Sequence, residues 1–277
     1  MSRKIAFQGE LGSYSHQACV EARPDFEPLP CATFEEAFEK VRNGEAEIGM
    51  IGVENSSYGR VADVHALLPN SGLFITDEVF VRVHINLLAV KGAKITDIKR
   101  VRAMSILLGQ ARGFIQEHGF ATLSASDNAA GAREVAELAD PSEAAFASEV
   151  AADLYGLDVL DRQIEDQANN TTRFFVMERE ANTTPRGTSG MITSFVFRVR
   201  NIPAALYKAM GGFATNGVNM TKLESYMVGG TFTATQFYAD IEGHPDEPAV
   251  ARALEELGFF TSELKILGVY PADPRRK

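Results

Sequence analysis

The run Ile48-Gly49-Met50-Ile51-Gly52-Val53, continued by Glu54-Asn55-Ser56-Ser57-Tyr58-Gly59, decides how this chain is read. Its first half carries no charge and no polar alternation, which suits a parallel strand buried on both faces. Its second half is a polar turn that sets carboxylate, amide and hydroxyl groups at the strand's carboxyl end, where ligands bind in open α/β sheets. Working back, Thr33 opens a helix with Glu36 three residues on, a capping box. Phe34, Ala37, Phe38 and Val41 give that helix one apolar face, and Asn43-Gly44 stops it. Earlier still, a short strand at 5–7 ends at Gly9 and Gly12. Ser13-Tyr14-Ser15 then opens a helix, because a serine hydroxyl accepts an orphan backbone N–H.

Working forward, strand-like runs fall at 73–75 and 79–90 and helical patterns at 105–118 and 127–139. A strand at 144–147, a helix at 148–155 ended by Gly156, and a strand at 157–160 follow. The alternation predicts an α/β region with mostly parallel sheets. A polar loop at 165–172 leads into a strand at 173–177. The stretch 181–190 has no apolar period and is rich in turn formers, so a linker is placed there. Beyond it the order is strand, helix, strand, strand, helix, strand, with a hairpin turn at Gly229-Gly230. That is the ferredoxin-like βαββαβ plait.

The chain has 277 residues, enough for two domains, and a formal net charge of −10. Such an acidic balance does not favour wrapping nucleic acid or coating anionic membranes. It requires that any anionic substrate meet its positive groups locally. No signal peptide or apolar membrane span is evident, so a cytoplasmic location is expected. Cys19 and Cys31 form no spacing motif and read as free thiols. The five histidines are scattered, and no metal-ligand spacing, phosphate loop or dinucleotide fingerprint occurs, so chemistry without a cofactor or metal is expected.

Three polar clusters sit just after predicted strands: residues 9–15, 54–59 and 169–173. The first ends in hydroxyls at a helix start, and the third sets Arg173 beside Asn169, Asn170, Thr171 and Thr172. Taken alone, the first is more often an ordinary strand-to-helix turn, the second is more often a capped turn, and the third reads also as a solvated loop. Together they suit a cleft for a small dianionic acid. Residues alone reach that point and stop.

In this order the clusters resemble the prephenate dehydratase family. Gly9 to Ser15 matches its Gly-x-x-Gly-(Thr/Ser)-Tyr-Ser opening, and Glu54-Asn55-Ser56 its Glu-Asn-Ser turn. Asn170-Thr171-Thr172-Arg173-Phe174 matches its Asn-x-Thr-Arg-Phe signature. The plait looks like the ACT regulatory domain, with Ala204-Ala205-Leu206 for Gly-Ala-Leu and Glu224-Ser225-Tyr226-Met227 for Glu-Ser-Arg-Pro. Two departures stand out. Ala103-Met104 occupies the usual Ser-His pair, before Leu107-Leu108-Gly109-Gln110-Ala111, and the Arg-Pro of the regulatory motif is absent.

The resemblance implies a bilobal, periplasmic-binding-protein-like catalytic domain at 1–180, with its second lobe at about 78–160, a linker at 181–190 and an ACT domain at 191–277. The lobe crossings are expected near 76–79 and 160–166. It implies a monofunctional, cofactor-free lyase making phenylpyruvate from prephenate. Thr172 would donate to the leaving hydroxyl and Arg173 would anchor a carboxylate. Ser13, Tyr14, Ser15, Glu54, Asn55, Ser56 and Asn170 would bind substrate, with Phe174 as packing. It also implies feedback by phenylalanine at Ala204, Ala205, Leu206, Asn219, Met220, Glu224 and Ser225, in a homodimer or homotetramer. Arogenate dehydratase, which takes an amine in place of the side-chain ketone, and a non-catalytic small-anion-binding module are the competing readings.

Overall fold

The computed structural model describes residues 2–182, 189–227 and 234–276. The Gly229-Gly230 turn and most of the expected linker, 183–188, lie outside the described residues. In chain order the elements are β1 (Lys4–Gln8), α1 (Tyr14–Ala22), β2 (Glu27–Cys31), α2 (Phe34–Arg42), β3 (Ile48–Asn55), β4 (Gly59–Arg60), α3 (Ala62–Leu67), β5 (Phe74–Arg82) and β6 (Asn86–Ala89). Then come β7 (Arg100–Ala103), α4 (Ser105–Gln110), α5 (Arg112–His118), β8 (Ala121–Ser124), α6 (Asn128–Leu138), β9 (Glu143–Ala147), α7 (Glu149–Tyr155), β10 (Asp158–Asp161) and β11 (Thr171–Glu178). The C-terminal part holds β12 (Met191–Val199), α8 (Ala205–Thr215), β13 (Met220–Met227), β14 (Ala234–Glu242), α9 (Pro248–Phe260) and β15 (Thr261–Pro271).

Packing divides the chain into two units. One comprises Met1–Val64 and Val79–Phe174, the other His65–Glu78 and Phe175–Lys277. The boundaries fall inside β5 and β11.

The first unit contains two lobes. In the first lobe β1 pairs parallel with β2 and with β3. The run 48–53 is buried as its composition requires, with Gly52 alone half-buried. The helix starts behave as the side chains dictate. Ser13 Oγ accepts from His16 N, and Thr33 Oγ1 accepts from Glu36 N at 3.1 Å while Glu36 reaches back to Ala32 N at 2.7 Å. Lys40 and Arg42 close the last turn of α2, where the helix dipole favours cations.

The second lobe is a five-stranded sheet of order β10-β6-β9-β7-β8. Alternation along β9 sends Ala144 and Phe146 to one apolar cluster and Ala145 and Ala147 to another, so both faces are covered. The mostly parallel sheet expected here is corrected to a mixed one. β7 pairs parallel with β8 and β9, but β6 runs antiparallel to β9 and β10. β6 enters directly from the first lobe without a crossover helix, and only such a crossover forces parallel pairing. The strand expected at 79–90 is interrupted at 83–85, and the chain passes from one sheet to the other there, later than the expected 76–79. The helix expected at 105–118 breaks at Ala111 into α4 and α5.

In the second unit the plait has sheet order β13-β14-β12-β15, as βαββαβ connectivity demands. Phe195, Phe197, Phe237, Ala239 and Ile241 face α8 and α9 in one core. The opposite face is occupied by residues 65–78. His65 packs edge-on against Tyr238, Lys265 Nζ donates to Pro69 O at 2.5 Å, and β15 meets β5 at Gly268 and Ile75. A Cβ on Gly268 would lie 2.1 Å from Ile75 O, so the approach requires glycine. This face carries Ser194, Tyr238, Asp240 and Tyr270, polar groups that must find partners once buried.

Candidate active site

The centre of the site is the Asn55 amide. Its Oδ1 accepts from Ser57 N at 2.9 Å and Tyr58 N at 3.2 Å. Backbone donors therefore fix which end is oxygen. The Nδ2 donates to Asn170 Oδ1 at 2.8 Å and to Thr172 Oγ1 at 3.0 Å. Asn170, 2% exposed, donates onward to Gln110 Oε1 at 2.9 Å. Ser56 stitches the same turn to the start of β11, donating to Asn169 O at 2.6 Å and accepting from Thr171 N at 3.0 Å. A threonine hydroxyl has one proton, and here a lone pair is taken by Asn55. The proton is left for another acceptor.

Strand alternation puts Thr172 and Arg173 on opposite faces of β11. The contacts agree. Arg173 is 4% exposed, lies 3.8 Å from Glu54 and sits over the Phe80 ring at 6.0 Å. Arg173 and Glu54 thus lie together on the face of β11 opposite Thr172. Phe174 is buried against Gly52, in keeping with packing.

A cavity of about 230 Å³ adjoins Asn170, lined also by Ser57, Tyr58, Gly109, Gln110, Glu165 and Asp166. Glu165 and Gln110 were passed over as site residues in the sequence. Gln110 stood in a stretch that matched the family, and Glu165 in a loop that read only as polar. Glu165 Oε2 accepts from Ile85 N at 2.9 Å, and Oε1 lies 3.1 Å from His84 Nδ1.

The loop 9–13 is held from both lobes. Ser148 Oγ donates to Gly12 O at 2.7 Å, and Gly12 N donates to His16 Nδ1 at 2.9 Å. Burial lowers the His16 pKa, consistent with a neutral ring accepting that bond. Gly12 has φ 92°, and a Cβ there would meet Ala151 Cα at 3.2 Å. Ser13 is buried as the cap of α1, and Ser15, half-buried, makes no side-chain hydrogen bond among the described residues. Tyr14 OH donates to His84 O at 2.9 Å. Burial, with Glu165 and Asp127 nearby, pushes its pKa far up, so the phenol stays a donor.

A second cavity of about 690 Å³ opens beside Gly9, Glu10, Leu11, Cys31, Met104, Asp127 and Tyr155. Met104 stands where the family's histidine would, and its backbone N–H is held by Asn128 Oδ1 at 2.9 Å. Restoring that histidine as Met104→His is expected to change turnover by less than about fivefold, because a methionine on a cavity wall tolerates replacement. Steady-state rates of the two proteins check this; a larger gain would mean that the chain has lost a catalytic group.

The proposed effector residues all lie in the second unit. Ala204 caps α8 with φ 62°, Ala205 is buried and Leu206 packs on the plait core with Met220. Asn219 and Ser225 are exposed, and Glu224 pairs with Lys222 at 3.1 Å.

Residues 5–182 match the prephenate dehydratase family. The chain belongs to the prephenate dehydratase family. It is therefore an α/β enzyme of a lyase family. A prephenate dehydratase from Arthrobacter aurescens in complex with L-Phe superposes with TM-score 0.88 at 30% identity, covering 97% of this chain and 90% of that one. A protein of Komagataeibacter europaeus, a bifunctional N-acyl-homoserine lactone acylase/prephenate dehydratase, is 49% identical over 99% of this chain and 98% of its own. Arogenate dehydratase/prephenate dehydratase 1 of Arabidopsis thaliana is 35% identical over 98% of this chain and 72% of its own. Among the described residues no helix is long and apolar enough to cross a membrane, and no cluster of metal-ligating side chains occurs.

Proposed function

We infer that the chain converts prephenate to phenylpyruvate, CO2 and water, as a cytoplasmic step in phenylalanine biosynthesis. The observation that carries this is the Thr172 hydroxyl, fixed by Asn55 so that its proton is free to donate. As the ring becomes aromatic, the carboxylate departs as CO2 and the hydroxyl leaves with the displaced charge. A donor aimed at that oxygen stabilises the transition state more than the substrate. Asn55, Asn170, Ser56 and Gln110 hold the donor in place. Ser13, Tyr14 and Ser15 present the first lobe's helix start to a carboxylate. Glu54 and Arg173 brace β3 against β11 from the far face.

Purified protein given prephenate should release phenylpyruvate, read by its absorbance. No product from prephenate would sink this reading. Arogenate belongs in the same experiment, read by amino-acid analysis, because of the Arabidopsis relative. The similarity to the Komagataeibacter protein favours a second reading, hydrolysis of the amide bond of an N-acyl-homoserine lactone. Mass spectrometry for released homoserine lactone tests it independently.

The plait reads as a phenylalanine sensor that pairs with a second copy, giving a dimer or tetramer. Ala204, Ala205, Leu206 and Met220 would receive the ring, and Asn219, Glu224 and Ser225 the amino-acid groups. Binding lowers activity only through unequal affinity for two arrangements of the protein. Titration calorimetry should show heat with millimolar phenylalanine, and Asn219→Ala should abolish both heat and inhibition. Silence in the unaltered protein would leave the plait as a dimerisation element.

A further inference from the structure

A threonine hydroxyl is too weak an acid to give its proton away unaided, so the dehydratase reading leaves the source of that proton unassigned. Beside the Asn55–Asn170–Thr172 node lies a histidine–carboxylate pair that the mechanism above does not use. Glu165 lines the smaller cavity with its side chain 4% exposed. One oxygen accepts from Ile85 N and the other faces His84 Nδ1 at 3.1 Å. A carboxylate at Nδ1 fixes the ring's orientation and turns its second nitrogen outward. The second ring nitrogen of His84 makes no hydrogen bond among the described residues, and the side chain is 37% exposed, open to water.

The backbone around His84 is clamped to the site. Val83 N donates to Asn170 O at 2.9 Å, Tyr14 OH donates to His84 O at 2.9 Å, and Asn86 Nδ2 reaches the same carbonyl at 3.4 Å. The ring therefore sits on the lobe crossing, one residue from a bond to the asparagine that positions Asn55. The crossing is broken at this point instead of continuing β5, and Glu165 captures the backbone N–H that follows.

We propose that His84, held by Glu165, is the proton source for this reaction, and the proposal rests on the dehydratase reading. The bond from ring carbon to carboxylate breaks, its electron pair enters the ring, and the bond from ring carbon to hydroxyl breaks. The proton on His84 Nε2 passes through a water to the departing oxygen, to which Thr172 donates a hydrogen bond. Hydroxide leaves as water, and neutral His84 takes a proton back from solvent. Glu165 is a positioning residue.

The test uses the full chain and prephenate. Turnover by the unaltered protein is read first; its absence sinks the dehydratase reading and this proposal together. With an active parent, His84→Asn should lower kcat by about 100-fold or more, the scale of general-acid catalysis, with KM within about threefold. Glu165→Gln should fall less, by about 10-fold. His84→Gly should recover turnover on adding imidazole, saturably. A structural role does not predict that recovery. A His84→Asn variant within threefold of the parent in kcat, or a loss that imidazole does not restore, overturns the proposal and leaves the dehydratase reading standing.

Discussion

Thr172→Val should lower prephenate turnover by about 100- to 1,000-fold while the protein stays folded, the usual loss when one donor to a developing charge is removed. Valine replaces the hydroxyl with a methyl of similar volume at a half-buried position, so packing changes little. The loss has two parts. The donor to the leaving oxygen disappears, and Asn55 Nδ2 loses the acceptor it holds at 3.0 Å. Asn55 keeps its contacts to Asn170, Ser57 and Tyr58, so the turn should remain in place. The effect should fall on kcat. Thr172→Ser, which keeps the hydroxyl, should retain much more activity. If the valine variant is folded by circular dichroism and keeps over a tenth of parental kcat, Thr172 is not the donor.

The second large effect is on stability. Arg276 bridges two carboxylates whose side chains are fully buried. It reaches Glu78 at 2.8 and 2.9 Å and Asp240 at 3.1 Å, and Thr221 Oγ1 at 3.0 Å. Asp240 also accepts from Ser194 at 2.6 Å and from Tyr238. Removing one partner of a buried ion pair typically costs about 3–5 kcal/mol, because the other charge stays buried and unpaired. Arg276 is 17% exposed, so Arg276→Ala should sit near the lower end, about 3 kcal/mol. At roughly 4 °C per kcal/mol for a unit of this size, Tm should drop by about 12 °C. Arg276→Lys should fall between, keeping the charge but not the fork. A shift below about 2 °C for the alanine variant would show that water reaches the carboxylates.

Helix α2 was legible because its cap and its apolar spacing are local and agree. The plait was legible for the same reason, repeated over six elements. β2 was missed because Pro28 and Pro30 argue against a strand, yet β2 lies at the sheet's edge, where missing donors are tolerated. β7, with two arginines in four residues, gives too little alternation to read. The crossing at 83–85 was hidden because Val81, Val83 and Ile85 continue the strand's period. What breaks it is Glu165, eighty residues away, taking the Ile85 N–H. The opposite orientations of Thr172 and Arg173 were available from strand alternation alone.

The segment 65–78 has a consequence for heredity. It lies inside the stretch that matches the dehydratase family, yet it packs with the plait, with Leu68, Leu73 and Ile75 buried there. A gene cut at residue 180 would keep this segment and discard its lining, leaving apolar side chains and Glu78 in water. The plait's packing unit is therefore not one contiguous stretch of the gene. Recombination that transplants it without a compatible 65–78 yields two mismatched surfaces, so the two stretches are expected to drift together.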